Sequence, residues 1–175
     1  MAEQHKLLRH PVPEAILARI GDITVSFALL ESAIQSVAGS LIAEHQRVGQ
    51  IITAELSFQK LRALLVSLYI ERHSENDNDF ETLRSLNCRA AELEGKRNQI
   101  THSIWAAGDA PGTVTRIKTT AKESRGIHFV FEQMDVAAFK AIADDLKKLA
   151  REYLHFHFHL LKSGKAINNP FEKTW

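Results

Sequence analysis

The 175-residue sequence has few of the residues from which special sites are built. Its single cysteine, Cys88, excludes an internal disulfide and any zinc site that needs a pair of cysteines. No run of about 18 apolar residues is present, so no transmembrane helix is expected, and residues 1–10 lack the apolar stretch of a signal peptide. GxSxG, HExxH, P-loop and Rossmann glycine patterns are also missing, which leaves oxidoreductase, NTPase and zinc-hydrolase functions without support. These absences predict a soluble cytoplasmic protein with no metal site and no cofactor.

The charge is almost balanced, with 22 Lys and Arg residues against 21 Asp and Glu residues, a formal net charge of +1. Binding to nucleic acid would therefore depend on a local basic patch, because no global positive field exists. Apolar residues make up 45% and charged residues 25%, an ordinary globular composition. The length predicts a single domain over residues 1–175.

Four long segments carry apolar residues at alternating spacings of three and four, which is the period of a helix. The predicted helices run from Glu14 to about Leu41, from about Leu56 to Arg72, from about Asp79 to Ala106, and from Asp135 to about Lys162. Val48-Gly49-Gln50 is predicted to be a connection. Four long amphipathic helices with short connections predict an all-α, antiparallel four-helix bundle. The long seams on the first and last helices also suggest a homodimer.

Residues 113–133 have a different pattern, in which TVTRIKT and IHFVFEQ flank a polar segment. Both segments are rich in β-formers, so they predict a hairpin with Gly126 near its turn, inserted between the third and last long helices. The tail, about residues 165–175, is predicted to be irregular. The hairpin carries Arg116, Lys118, Lys122 and Arg125, opposed only by Glu123. These basic residues are candidates for contacts with an RNA backbone, and the alternative is a solvated guard on an exposed strand edge.

The third predicted helix contains the segment Lys96-Arg97-Asn98-Gln99-Ile100-Thr101-His102. An arginine holds a phosphate through two hydrogen bonds and stays charged, whereas a histidine can take or give a proton near neutral pH. An asparagine can orient the imidazole or donate to a phosphate oxygen. Arg97, His102 and Asn98 could together cleave RNA without a metal ion.

This segment resembles the Arg-x(4–6)-His signature of HEPN domains, including the polar residue directly after the arginine. HEPN domains are helical bundles, and many are metal-independent RNases of toxin–antitoxin and defence systems with the active site at a dimer interface. The resemblance covers roughly residues 14–162. It implies an endoribonuclease with catalytic Arg97 and His102, supporting Asn98, an RNA substrate, a homodimer, and an antitoxin or regulatory protein as a further partner. The hairpin lies outside the common core of that family.

Glu31 is the charged residue that interrupts the apolar seam of the first helix between Asp22 and Glu44. A carboxylate beside a core needs a partner, and Arg97 is the candidate, which would give Glu31 a supporting role in orienting that arginine. The alternative is a solvent-exposed or dimer-rim Glu31.

Two other functions compete with the RNase. Some HEPN domains have lost catalysis, so the chain could be a dimerising interaction module with a vestigial motif. Glu152, His155 and His159 could share one face of the last helix, and the four-residue spacing of the two histidines suits a metal ion. No acidic or cysteine cluster elsewhere completes such a site, and a surface histidine cluster that includes His157 is favoured. The looser form of the motif also fits Arg151 and His157.

Overall fold

A computed structural model describes residues 12–43, 45–122 and 126–167, with side chains throughout except at residues 46 and 120–122. Within these ranges the chain is mostly helical, with five helices and one small antiparallel sheet. The elements in chain order are α1 (Glu14–Ile42), α2 (Gln46–Ala54), α3 (Phe58–His73), α4 (Phe80–Thr101), β1 (Ile104–Ala107), β2 (Thr113–Lys122), β3 (Gly126–Asp135) and α5 (Val136–Lys162).

The core lies along α1 and α5, which make the most extensive contact between any two helices. The periodic apolar residues of both helices point into it, as their spacing predicted. The large periodic residues buried there are, from α1, Ile16, Ile23, Phe27, Leu30, Ile34, Val37 and Leu41, and, from α5, Phe139, Leu146, Leu149, Tyr153, Phe156 and Leu160. Helices α3 and α4 add further buried residues: Phe58, Leu61, Leu65 and Tyr69 of α3, and Leu83, Leu86, Ala90, Leu93 and Ile100 of α4.

The helix starts follow the capping residues in the sequence. The Ser57 hydroxyl accepts a hydrogen bond from the Lys60 N–H at the start of α3, and the Asp135 carboxylate accepts one from the Ala138 N–H at the start of α5. Each side chain satisfies a backbone donor that has no partner inside its helix.

The prediction of a connection at Val48-Gly49-Gln50 is wrong, because these residues lie inside α2. Gly49 faces Gly39 of α1 so closely that a Cβ on Gly49 would lie 2.7 Å from the Gly39 Cα. Glycine at position 49 therefore lets α2 pack directly on the α1 backbone, which local helix propensity does not indicate.

The third predicted helix is shorter than expected. It ends at Thr101, and Ile104–Ala107 forms strand β1, although residues 104–106 were predicted to be helical. Ile104 pairs with Ile117 of β2 and is exposed. The Trp105 indole donates a hydrogen bond to the Ile100 carbonyl and its ring packs against Phe139, which fixes β1 to the end of α4 and to α5.

The predicted hairpin is confirmed as β2 and β3, and β1 extends it to a three-stranded sheet in the order β1-β2-β3. The antiparallel register places Ile117 opposite Phe131 and Thr119 opposite Phe129. Val114 is fully buried, which anchors one side of the sheet to the helices. Of the predicted irregular tail, Lys165–Ile167 is described and is neither helix nor strand; residues 168–175 lie outside the described residues.

One helix, α1, is long and apolar enough to cross a membrane when judged by length and composition alone. Half of its most apolar window is buried in the core. The core helix of a soluble protein meets the same criterion, so α1 is weak support for a membrane span.

Candidate functional site

Arg97 lies in the penultimate turn of α4 with its guanidinium over the ring of Phe27 from α1. The distance from the Arg97 Cζ to the ring centroid is 4.4 Å, which is a cation–π contact. Its Nη1 donates a hydrogen bond of 2.8 Å to the Asn98 Oδ1. The Arg97 Nε is buried and has no hydrogen-bond partner among the described residues. Two neighbours, one ring and one amide, thus hold the guanidinium on the side of α4 that faces α1.

Glu31 does not pair with Arg97 as expected. Within the part of the chain that the structure describes, no ion pair of Glu31 is formed, and the carboxylate is only partly buried. Phe27, one helical turn earlier in α1, takes the place beside Arg97 instead. An aromatic face can hold a partly desolvated guanidinium without a carboxylate, and partial exposure lets Glu31 stay hydrated.

His102 follows the last residue of α4. Its backbone N–H donates a 3.0 Å hydrogen bond to the Asn98 carbonyl, which closes the final helical turn. Its side chain is exposed, and its ring has no hydrogen-bond partner in the described ranges. Asn98 therefore contacts both other motif residues, Arg97 through its amide and His102 through its backbone. Because the amide oxygen is engaged by Arg97, any contact of the Asn98 side chain with the His102 imidazole or with a phosphate would come from its amide nitrogen.

Asn98 and His102 lie on a cleft of about 450 Å³ between the end of α4 and strand β2. The cleft is lined by Asn98, Gln99, His102, Ser103, Ile104, Arg116, Ile117, Lys118 and Thr119. This lining holds two permanent cations, an imidazole and several amide and hydroxyl groups, and none of these residues has a carboxylate. The structure thus brings two motif residues together with two of the basic residues predicted from the hairpin. Arg97 itself does not line the cleft and reaches it only through Asn98.

Arg116 is buried rather than displayed on a solvated strand edge. Its Nε donates a hydrogen bond of 2.9 Å to the Glu132 Oε2 on β3, and its Nη2 contacts the same oxygen. Its Nη1 is buried and has no partner among the described side chains. The prediction that Glu123 alone opposes the basic hairpin is therefore wrong, because Glu132 neutralises part of the charge of Arg116.

Lys118 is exposed at the same cleft, and the described residues include no ion pair of this lysine. It is therefore the more accessible of the two cations. Arg125 and the side chain of Lys122, the other two basic residues proposed to contact RNA, lie outside the described residues.

The histidines of α5 lie apart from this cleft. The His159 Nε2 is 3.0 Å from the Asp79 Oδ2, so this ring pairs with a carboxylate. His157 is partly buried, and burial lowers its pKa. Among the described residues, no three His, Cys, Asp or Glu side chains come close enough together to hold a metal ion.

Sequence reasoning missed three residues that shape this site. Phe27 supports Arg97, Glu132 pairs with Arg116, and Thr119 lines the cleft. Side chains alternate between the two faces of a strand, so the pairing register of β2 and β3, had it been known, would have placed Arg116 and Glu132 on the same face. Nothing in the local sequence connects Phe27 with Arg97, because they meet only when α1 packs on α4.

No family model matches this chain, and neither a curated protein nor a solved structure matches it.

Proposed function

We propose that the chain is a metal-independent endoribonuclease of the HEPN type that acts as a homodimer. The observation that carries the proposal is the cleft, where the exposed His102 lies beside the exposed Lys118 and beside Arg116, whose charge is partly neutralised by Glu132. A cationic lining suits the phosphate of an RNA backbone, and an imidazole suits the proton transfers of its cleavage. The long helices α1, α3, α4 and α5 would correspond to the antiparallel four-helix bundle of that family.

The chemistry uses the ribose 2′-hydroxyl as the nucleophile. One imidazole takes the 2′-hydroxyl proton as the oxygen attacks phosphorus, and an imidazolium donates a proton to the departing 5′-oxygen. In a homodimer, His102 of each copy would supply one of these two roles. Arg116 and Lys118 would stabilise the charge that develops on the phosphoryl oxygens. Arg97 would act as the family's arginine if its side chain turned from Phe27 towards the phosphate.

The proposed RNase activity also suggests a cellular role for the protein. An RNase without a specificity factor would be harmful in the cytoplasm, so a toxin or defence role with an antitoxin or regulatory protein as partner is consistent with it. The resemblance to HEPN domains supports this role, as no motif for a particular partner is present.

One observation favours the alternative, a non-catalytic interaction module. Arg97 is already held by the Phe27 ring and the Asn98 amide, and it does not line the cleft. In that case Arg97 stabilises the contact between α1 and α4, and its loss would change stability alone.

The test is cleavage of a mixed RNA pool, with and without EDTA, by the wild type, by His102→Ala and by the matched control His155→Ala. His155 is an exposed histidine of α5 that lies outside the cleft. We expect the wild type and His155→Ala to cleave in EDTA and His102→Ala to lose at least a hundredfold in rate, as expected for loss of an acid–base group.

Circular dichroism and light scattering establish that each variant is folded and report its mass. Equal cleavage by the wild type and a folded His102→Ala would contradict the catalytic role. No cleavage by any of the folded proteins would favour the interaction module.

A further inference from the structure

The outer face of the sheet displays two aromatic side chains on β3. Residues 127, 129 and 131 share one face, because successive residues of a strand point to opposite sides. Phe129 is 59% exposed and Phe131 is 65% exposed. Their ring centroids are 6.5 Å apart with an angle of 26° between the ring planes. Two nearly parallel rings thus stand in solvent, where large apolar groups usually indicate a binding surface.

This aromatic pair lies one strand away from the cleft that holds His102. Phe131 is directly opposite Ile117, and Phe129 is directly opposite Thr119, in the antiparallel register of β2 and β3. Ile117 and Thr119 both line the cleft. Residues opposite each other in antiparallel strands have Cα atoms roughly 4.5–5.5 Å apart.

Arg116 and Lys118 alternate with Ile117 and Thr119 along β2, so their side chains leave the strand on the face opposite the rings. The cleft is nevertheless lined by residues of both faces, because β1 pairs only with residues 114–117 and leaves the β2 edge open beyond them. A ligand that extends from the cleft around this edge would therefore reach the two rings.

The cleft beside the rings is complementary to a phosphate. Its lining includes Lys118, His102 and Arg116, and, among the described residues, the one carboxylate bound to these three is Glu132, which pairs with Arg116 and does not itself line the cleft. Lys118 is exposed and makes no ion pair with any described residue. A cationic groove beside exposed aromatic rings is the combination that proteins use for single-stranded nucleic acid, with charge on the backbone and rings against the bases.

We propose that Phe129 and Phe131 form a stacking platform for unpaired bases of single-stranded RNA, next to a phosphate held in the cleft. This inference rests on the proposed function and names its substrate class. The rings would stack on bases in any sequence, because every base has a π-face. A duplex would be excluded, since its bases are already stacked on one another. The hairpin would thus select unpaired RNA.

The same face includes the aliphatic side chains of Ile104 and Ile127, each 66% exposed, so a protein could also cover it. The two occupants make different demands. A protein interface needs apolar area, which leucine supplies as well as phenylalanine does. Base stacking needs an aromatic ring. Phe129→Leu and Phe131→Leu therefore separate the two occupants.

The test measures RNA binding by fluorescence anisotropy in EDTA, with His102→Ala as the parent so that the RNA stays intact. The probe is a labelled, unstructured adenine-rich oligoribonucleotide. Adding Phe129→Leu or Phe131→Leu should weaken binding roughly 5- to 100-fold, the effect of losing one stacked base. Phe158→Leu is the matched control, because Phe158 is an exposed phenylalanine of α5 outside the sheet.

A second probe removes the bases instead of the rings. An oligonucleotide of equal charge with three consecutive abasic positions should bind the parent as weakly as the intact probe binds the leucine variants. The leucine substitutions should not weaken binding to the abasic probe further. Light scattering on every protein reports whether the mass has changed.

Equal affinity of the parent and both leucine variants would overturn the proposal, and so would a change in mass with no change in affinity. Absence of RNA binding by the folded parent would overturn it as well, even if the wild type cleaves RNA. Ring-dependent binding without cleavage by the wild type would support the platform and refute the proposed nuclease, so the two failures are distinguishable.

Discussion

At the scale of single residues, the motif divides into an inner and an outer part. Arg97 faces α1 and is held by Phe27 and Asn98, whereas His102 lies in solvent at the cleft. The division follows from where α4 ends. The residue at position 102 leaves the helix, so its direction is set by the turn into β1 and no longer by the helical period. The arginine that lines the cleft with His102 is therefore Arg116 of the hairpin, and not Arg97 of the motif.

Another residue-scale feature is the partly buried His157 of α5, whose Nε2 has no hydrogen-bond partner in the described ranges. Burial disfavours the charged imidazolium and lowers the pKa of this histidine below its usual value near 6.5. The unfolded chain therefore binds the proton more readily than the folded chain. We therefore expect the contribution of His157 to the free energy of unfolding to be fully present above about pH 6.5. This contribution should decrease as the pH falls below that value.

The measurement is urea unfolding at pH 7.5 and pH 5.5 for the wild type, His157→Leu and His155→Leu. His157→Leu should reduce the loss of stability on acidification, while His155→Leu, at an exposed position, should leave it unchanged. The same loss in the wild type and His157→Leu would mean that His157 does not contribute to the acid sensitivity.

At the scale of elements, the contact between α1 and α2 depends on two glycines. A methyl group on Gly49 would lie 2.7 Å from the Gly39 Cα and 2.9 Å from its carbonyl oxygen, both of them backbone atoms that cannot turn aside. We expect Gly49→Ala to push α2 away from α1 and to lower the free energy of unfolding by ~1–3 kcal/mol, the usual cost of overpacking.

Gly21→Ala is the matched control, because a Cβ at Gly21 in α1 would meet nothing within 4 Å. Alanine is the better helix former, so this change should raise the free energy of unfolding by about 0.5–1 kcal/mol. Urea unfolding of both variants measures the difference. Similar effects at the two positions would show that helix propensity, and not the close approach of α1 and α2, sets the result.

The same elements show what the sequence predicts and what it does not. The seams from Ile16 to Leu41 and from Phe139 to Leu160 predicted α1 and α5 because burial on one face leaves a helical period in the sequence. Gly49 was interpreted as a break because its reason for being glycine is a contact with another helix. Ile104 follows Ile100 at helical spacing, yet it pairs with Ile117 in the sheet, and no local pattern reveals a partner that distant.

For the candidate site, the sequence predicted the residue types better than their arrangement. Asn98, His102, Arg116 and Lys118 do line one cleft. Their proximity depends on β1, which was predicted as helix, because it fixes β2 beside the end of α4. The predicted partner of Arg97 was the carboxylate of Glu31, because opposite charges can be recognised in a sequence. The actual partner is the Phe27 ring, which lies on another helix and is brought to Arg97 only by folding.

At the scale of the whole molecule, an ion-pair cluster fixes the chain after α5 to the turn between α3 and α4. The Lys165 Nζ lies 2.7 Å from the Asp77 Oδ1 and 2.6 Å from the Asp79 Oδ2. The Tyr69 hydroxyl donates to the same Asp77 oxygen. The hydrogen bond from Lys165, together with those from Tyr69 and the Asp79 N–H, holds the pKa of Asp77 well below its usual range. One ionised carboxylate thus links α3, the turn before α4 and the chain after α5.

Because the folded pKa of Asp77 is lowered, the unfolded chain takes up its proton first as the pH falls. The stabilisation should be present at neutral pH and above about pH 4, and it should be lost as the solution is acidified further. We expect Lys165→Met to lower the free energy of unfolding by ~1–2 kcal/mol at pH 7, the size of a partly buried charged hydrogen bond, and to weaken the acid dependence below pH 4.

Lys140→Met is the matched control, because Lys140 pairs with Asp144 on the exposed surface of α5. An exposed pair within one helix contributes little, so this change should leave the free energy of unfolding close to that of the wild type. Urea unfolding from pH 2.5 to pH 7 compares the three proteins. If Lys165→Met retained the stability and acid profile of the wild type, the cluster would not fix the chain after α5. If both lysine variants lost equal stability, the effect would come from the overall charge, because each change removes one positive charge.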